Sequence, residues 1–230
     1  MFVRYTITAP SEDIAQRFSV DVPKGYLPQY NAAPTHLLPI ITDESQNGIS
    51  FFYWGSPPSM ANKKPLGEKL INTRTEVIVE KQVVRKKIRE KRCIIPADGF
   101  YEWKKTGKKT VIPYRFTLKD KSLFALAGLW EEYDNEDGEM FHTFSIITTP
   151  GNPSVSAIAE RMPVILPLEM EKAWLKGGDE MVLISMLTPY REALEYYSVS
   201  SRVNSPELND RLIILPARAA DQFGNLSLFD

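Results

Sequence analysis

Cysteine is almost missing from this chain: Cys93 is the only one among 230 residues. A single thiol excludes an internal disulfide and points to a reducing compartment, so a cytoplasmic location is expected. Histidine is nearly as scarce. A zinc centre needs about three or four Cys, His or carboxylate ligands, and Cys93, His36 and His142 show no ligand spacing, so no metal and no cofactor is expected. A Ser-His-Asp triad would have to use one of two histidines that read better as structural: His142 lies in a strand-like run, and His36 follows a Pro-Thr turn. Neither a phosphate-binding glycine loop nor a dinucleotide fingerprint is present. No apolar run approaches the roughly 20 residues that a membrane helix needs, and no charged-then-apolar leader stands at the start, so no membrane partner is expected. An excess of one charge is lacking as well. Lysine and arginine number 28 against 29 acids, for a net charge of −1. Composition alone therefore predicts no polyanionic partner.

What the chain does have is length for one large domain with a substantial core, and proline. Its 17 prolines favour loops and strand ends over long helices. Strand-like segments dominate: 3–8, 37–41, 49–53, 93–95, 100–103, 114–118, 124–130 and 144–148. Helices are fewer. Ser11 is a candidate N-cap with Glu12 and Asp13 in the first turn, where the helix dipole favours acids. Residues 82–90 read as a basic helix with Val84 and Ile88 as its apolar seam. Pro167 opens a third helix at its first turn, ended by Gly177-Gly178, and Asp179 caps a fourth. Short polar turns between strands favour antiparallel pairing, so the fold class is α+β. No linker or repeat divides residues 1–230. A monomer is expected.

Charge is uneven along the chain. From Lys81 to Arg92 there are seven basic residues and one acid, while residues 131–139 are strongly acidic. As a helix the basic run presents Arg85, Lys86, Arg89 and Arg92 mostly to solvent. With Lys104, Lys105, Lys108 and Lys109 it reads alternatively as a stripe along a phosphate backbone.

The most informative stretch runs from Cys93 through Pro96-Ala97-Asp98-Gly99 to Lys105. Two apolar residues lead into an Asp-Gly turn, and a second strand begins. Strand alternation sends Tyr101 and Trp103 to one face and Glu102 to the other. A carboxylate held beside bulky rings is placed for a raised pKa and for proton transfer.

With 1-MFVRYT-6, 30-YNAAPT-35, 53-YWG-55, 71-INTRTE-76, 161-RMP-163 and 199-VSSRVN-204, the chain resembles the SOS-response-associated peptidase (SRAP) family of abasic-site processing proteins. The matches run in the family's order across roughly residues 1–204. The resemblance implies a curved, barrel-like β core with helices around it, and single-stranded DNA carrying abasic sites as partner. It also implies a crosslinking or lyase activity with autopeptidase activity. In the family an N-terminal cysteine joins the aldehyde of the abasic sugar in a thiazolidine ring. Carried over by motif, Asn72 would hydrogen-bond the sugar and Glu102 would shuttle protons. Arg4, Arg74 and Arg161 would meet phosphates, Trp54 would offer a stacking face, and Asn31 and Thr148 would complete the pocket.

Departures from the family pattern bear on the chemistry. Phe2 and Val3 stand where Cys and Gly are expected, Ala159 replaces the histidine of the Ile-His-Asp-Arg segment, and Met60 replaces a tryptophan. Nucleophile and histidine are thus both absent, and crosslinking is expected to be lost or altered. Phe2 should leave Met1 in place, so the remaining nucleophile is the Met1 amine, with a reference pKa of about 7.7–8.0. Read without the family, Arg4, Arg74 and Arg161 are equally surface partners of Glu76 or Glu160, Trp54 is equally core, and Asn31 is a turn residue. A non-catalytic module holding nucleic acid or a small ligand on the same fold is the alternative function. A hydrolase resting on Glu102 alone lacks a second group.

Overall fold

In the computed structural model, residues 2–57, 71–134 and 138–226 are described. Met1 and Met60 lie outside them.

Among the described residues thirteen strands form two sheets. The larger contains β3 (Leu37–Thr42), β4 (Ser50–Trp54), β6 (Arg92–Ala97), β9 (Phe124–Asp134) and β10 (Met140–Pro150). Their neighbours run β10-β4-β3-β6-β9, and β9 pairs again with β10, so these five strands close into a barrel. Four of the five pairings are antiparallel, and β10 with β4 is parallel. Short strands β5 (Asn72–Arg74) and β11 (Arg161–Pro163) add to β10, and β12 (Ile165–Leu166) adds to β9. A second, five-stranded sheet is ordered β13-β8-β7-β1-β2. Its members are β1 (Tyr5–Ile7), β2 (Gln29–Ala32), β7 (Gly99–Lys105), β8 (Val111–Thr117) and β13 (Glu195–Ser198).

All eight expected strands form. Five that were not expected, β2, β5, β11, β12 and β13, have at most four residues, too few for a period-two pattern to register. The Asp-Gly step is not a hairpin turn. Asp98 is the single residue by which the chain leaves β6 in the barrel and enters β7 in the other sheet. Its buried carboxylate accepts from Thr6 Oγ1 and Thr8 Oγ1 (2.7 Å for the latter) and pairs with the Arg115 guanidinium at 3.0 Å. That guanidinium lies over Gly99, where a Cβ would come within 2.8 Å of it.

The α-helices among the described residues are α1 (Ser11–Phe18), α2 (Thr75–Glu80), α3 (Gln82–Glu90), α4 (Pro153–Ser156), α5 (Leu168–Lys176) and α6 (Glu180–Ser185). Ser11 is the first helical residue of α1, with Pro10 at its cap, and Pro167 likewise caps α5 instead of sitting inside its first turn. Asp179 caps α6 as expected, accepting from the amides of Met181 and Val182. One apolar cluster fills the molecule, and a small satellite of Tyr101, Val199 and Val203 sits on the far face of β7.

Candidate functional site

The site begins at β7. Phe100 and Tyr101 are fully buried on opposite faces, Phe100 against the main core and Tyr101 in the satellite cluster. Trp103 joins Tyr101's face and donates from Nε1 to Asn204 Oδ1 at 2.8 Å. Alternation therefore turns Glu102 the other way, as the sequence suggested. Only 5% of Glu102 is exposed. Burial pushes its carboxyl up to about 8, against the opposing charge of the chain's terminal amine and a hydrogen bond from the Trp103 amide. Such a group exchanges protons near neutral pH.

Around Glu102 lies a cleft of 390 Å³. One wall is β7, through Glu102, Trp103, Lys104 and Lys105, and the other is residues 156–161 together with Arg74. Asn152 makes this second wall possible. It caps α4 by accepting from the Val155 amide, with Pro153 following it, an Asn-Pro helix-start signal that the sequence carries. Ala159, at the position of the family's histidine, is a wall residue of the cleft, so the missing imidazole is missing from the site itself.

Arg74 and Arg161 reach the cleft from strands flanking β10: Arg74 stands in register with Thr148, and Arg161 with Pro150. The Arg161 guanidinium forks onto Glu76, Nη1 to Oε1 at 2.8 Å and Nη2 to Oε2 at 2.9 Å, and Nη2 also donates to the Thr148 carbonyl at 2.8 Å. These hydrogen bonds hold the Glu76 carboxyl down at about 2. The ion-pair alternative for Arg161 is thus realised in this structure.

Asn72, on β5, is buried and lies beside Phe2, its Nδ2 donating to the Phe2 carbonyl at 2.7 Å, while its buried Oδ1 has no hydrogen-bond partner among the described residues. Phe2 itself is core. Its ring packs on Trp54 and Phe100 with centroids 5.8 and 5.9 Å away. The main chain of residues 2–5 thereby spans from Asn72 to β7, where Tyr101 donates its amide to the Arg4 carbonyl.

Other candidates are placed elsewhere. Trp54 is fully buried, stacks on Phe144 and donates to the Ile71 carbonyl, so it is a core residue with no face for a base. Asn31 belongs to β2 and is no turn residue. Its buried Nδ2 lies within hydrogen-bonding range of the carbonyls of Val203, Ser205 and Leu208, which fixes the loop behind β7. Thr148 is buried beneath Arg161. Arg4 does not line the cleft; its Nη1 donates to the Val3 carbonyl, and burial lowers its pKa. His142 packs between Phe52 and Trp130, burial followed by the Arg4 charge pushes His36 down, and neither residue lines the cleft.

The basic run differs from expectation. Arg92 is buried: Nε donates to the Trp174 carbonyl at 2.7 Å and Nη1 to that of Ile88 at 2.6 Å, and Nη2 pairs with Asp43 at 2.9 Å. It closes the C-terminal ends of α3 and α5, which the spacing of a single helix cannot reveal. Most of its neighbours are matched by acids: Lys87 with Glu131, Lys91 with Glu44 and Glu132, and Arg85 and Arg89 with Glu180. Part of the acidic stretch is therefore the counter-charge of this helix. Among the described residues no group of three or more His, Cys, Asp or Glu is placed to hold a metal ion, and no helix is long and apolar enough to cross a membrane.

Fold and site together define an α+β protein with a closed five-stranded barrel and a buried carboxyl group in an arginine-bearing cleft. The chain belongs to the SOS response associated peptidase (SRAP) family, whose model matches residues 1–206. It is 45% identical over 218 residues to the abasic site processing protein YoqW of Bacillus subtilis, covering 92% of this chain and 97% of that one. It is 44% identical to the abasic site processing protein YobE of the same organism, covering 89% and 97%. A crystal structure of a protein from Bacteroides thetaiotaomicron, 30% identical, superimposes with a TM-score of 0.80 over 94% of this chain and 99% of that one.

Proposed function

We propose that this protein acts in DNA damage handling by binding single-stranded DNA at abasic sites through the Glu102 cleft, without forming the permanent thiazolidine crosslink that the family resemblance implies. The observation that carries this reading is the coincidence at one cleft of Glu102, with its carboxyl near 8, and Arg74 and Arg161, beside a chain start where Phe2 is packed into the core. Arginines supply sequence-independent phosphate contacts. Glu102, partly protonated at neutral pH, suits protonation of the departing oxygen when an amine adds to an aldehyde, and its carboxylate suits removal of the proton alpha to the resulting imine. Closure to a thiazolidine needs a thiol on the residue that bears the amine, and Met1, whose sulfur is a thioether, has none. An imine formed by the amine alone is reversible and leads at most to slow strand cleavage.

The test uses protein confirmed to begin at Met1 and an oligonucleotide carrying one abasic site. Binding in the micromolar range or weaker is expected, and it should weaken steeply with added salt. A borohydride-trapped complex is expected, with no heat-stable complex in the absence of reductant. No binding at low salt sinks the DNA reading; a heat-stable crosslink without reductant sinks the loss of ring closure. The bond between Asn72 and the Phe2 carbonyl favours a second reading, a non-catalytic module in which the Asn72 amide nitrogen anchors the start of the chain. Under it, trapping would be absent and Glu102→Gln would change nothing but stability.

A further inference from the structure

We infer that Glu76 occupies the fork of Arg161, the phosphate contact that the family resemblance implies, until a phosphodiester displaces it. The inference rests on the reading that the cleft takes DNA. Its support is geometric. Two parallel hydrogen bonds from one guanidinium to two oxygens is the arrangement a phosphate takes on arginine, and the Glu76 carboxylate has it already, at 2.8 and 2.9 Å.

The arginine does not depend on Glu76 for its pose. Nη2 donates to the Thr148 carbonyl at 2.8 Å, and Nε lies 3.4 Å from Thr148 Oγ1, so β10 holds the guanidinium from behind. The Arg161 side chain is 18% exposed and that of Glu76 is 47% exposed. The acid is therefore the outward, exchangeable member of the pair, and an anion arriving from solvent meets it first. Arg74, two residues before Glu76, shares the cleft with Arg161. Displacement of Glu76 would leave the Arg161 fork facing a phosphate, with a second guanidinium on the same cleft. Glu76 thus sets how strongly the cleft holds a phosphate and keeps Arg161 neutralised when none is bound.

Fluorescence anisotropy with a labelled single strand carrying a stable abasic analogue tests this in wild-type protein, Glu76→Gln, and Glu76→Gln combined with Arg161→Ala. Exchange of an exposed ion pair predicts that Glu76→Gln binds roughly two- to five-fold more tightly. The salt dependence should keep its slope, because the same phosphate contacts form once Glu76 has been displaced. Adding Arg161→Ala should abolish the gain and flatten the log–log slope by about 0.7, the loss of one phosphate contact on a single strand. If wild type binds and Glu76→Gln binds equally or more weakly, the inference falls while the DNA reading stands. If the gain survives Arg161→Ala, it arises elsewhere and the inference also falls. If no protein binds at low salt, both fall together.

Discussion

Glu102 carries the sharpest consequence at the scale of single residues. Its carboxyl sits near 8 in the folded chain against an ordinary value of 4.5, so between those limits the folded state holds more protons than the unfolded one. Stability must then fall as pH rises through that window, because the unfolded chain ionises freely where the buried site resists. Glu102→Gln has no charge to desolvate. We expect it to flatten this slope and to exceed wild type by a few kcal/mol above the window, with the two equal below it. Urea midpoints of both proteins on either side of the window decide it, and parallel curves would show that the carboxyl is solvated. Phe2 offers a second test. A Phe2→Cys, Val3→Gly protein, once relieved of Met1, should form a heat-stable complex with abasic DNA, slowly because Ala159 supplies no imidazole. Mass spectrometry of the conjugate reads the outcome; absence of any adduct would mean that more than the thiol has been lost.

At the scale of elements, the boundary between what the sequence reveals and what it hides is clearest in α3 and β7. The faces of β7 followed from alternation alone, since bulky rings on one side and a lone acid on the other leave few choices. The basic helix was legible as a helix but not in its surroundings. Nothing within residues 82–92 announces that Arg92 turns inward to carbonyls of α5, 82 residues away, or that Glu131, Glu132 and Glu180 answer its neighbours. Arg92→Ala would leave Asp43 buried with its charge unpaired, and helix ends open. We expect a loss of about 3–5 kcal/mol in unfolding free energy, with Arg92→Lys recovering only part of it. A loss no larger than that from an exposed lysine in the same helix would contradict this role. Trp54 illustrates the opposite difficulty. Its motif position permitted either platform or core, and only the rings of Phe2, Tyr5 and Phe144 closing around it decide for core.

At the scale of the whole molecule, the barrel was implied by the family resemblance and not by the residues, because ring closure depends on β9 meeting β10 and β6 together. Gly128 stands where that happens, in register with Cys93 on one side and Ile146 on the other. A Cβ there would lie 2.4 Å from Ile95 Cδ1 and 2.9 Å from the Ser145 carbonyl oxygen. Gly128→Ala should cost about 1–3 kcal/mol by overpacking, measurable as a lowered melting temperature; an unchanged one would mean that the barrel wall yields. Closure also divides the protein into two regimes of motion. A ring of strands has no edge from which to fray, whereas the five-stranded sheet ends at β13 and β2. Backbone amides of the ring should therefore exchange with deuterium only through global unfolding, and those of β13 earlier, through local opening. The cleft takes Glu102 from the open sheet and Arg74 and Arg161 from strands joined to the ring, so its carboxyl and its two guanidinium groups stand on opposite banks of a mechanical seam, and loosening of that seam would separate them before either sheet melts.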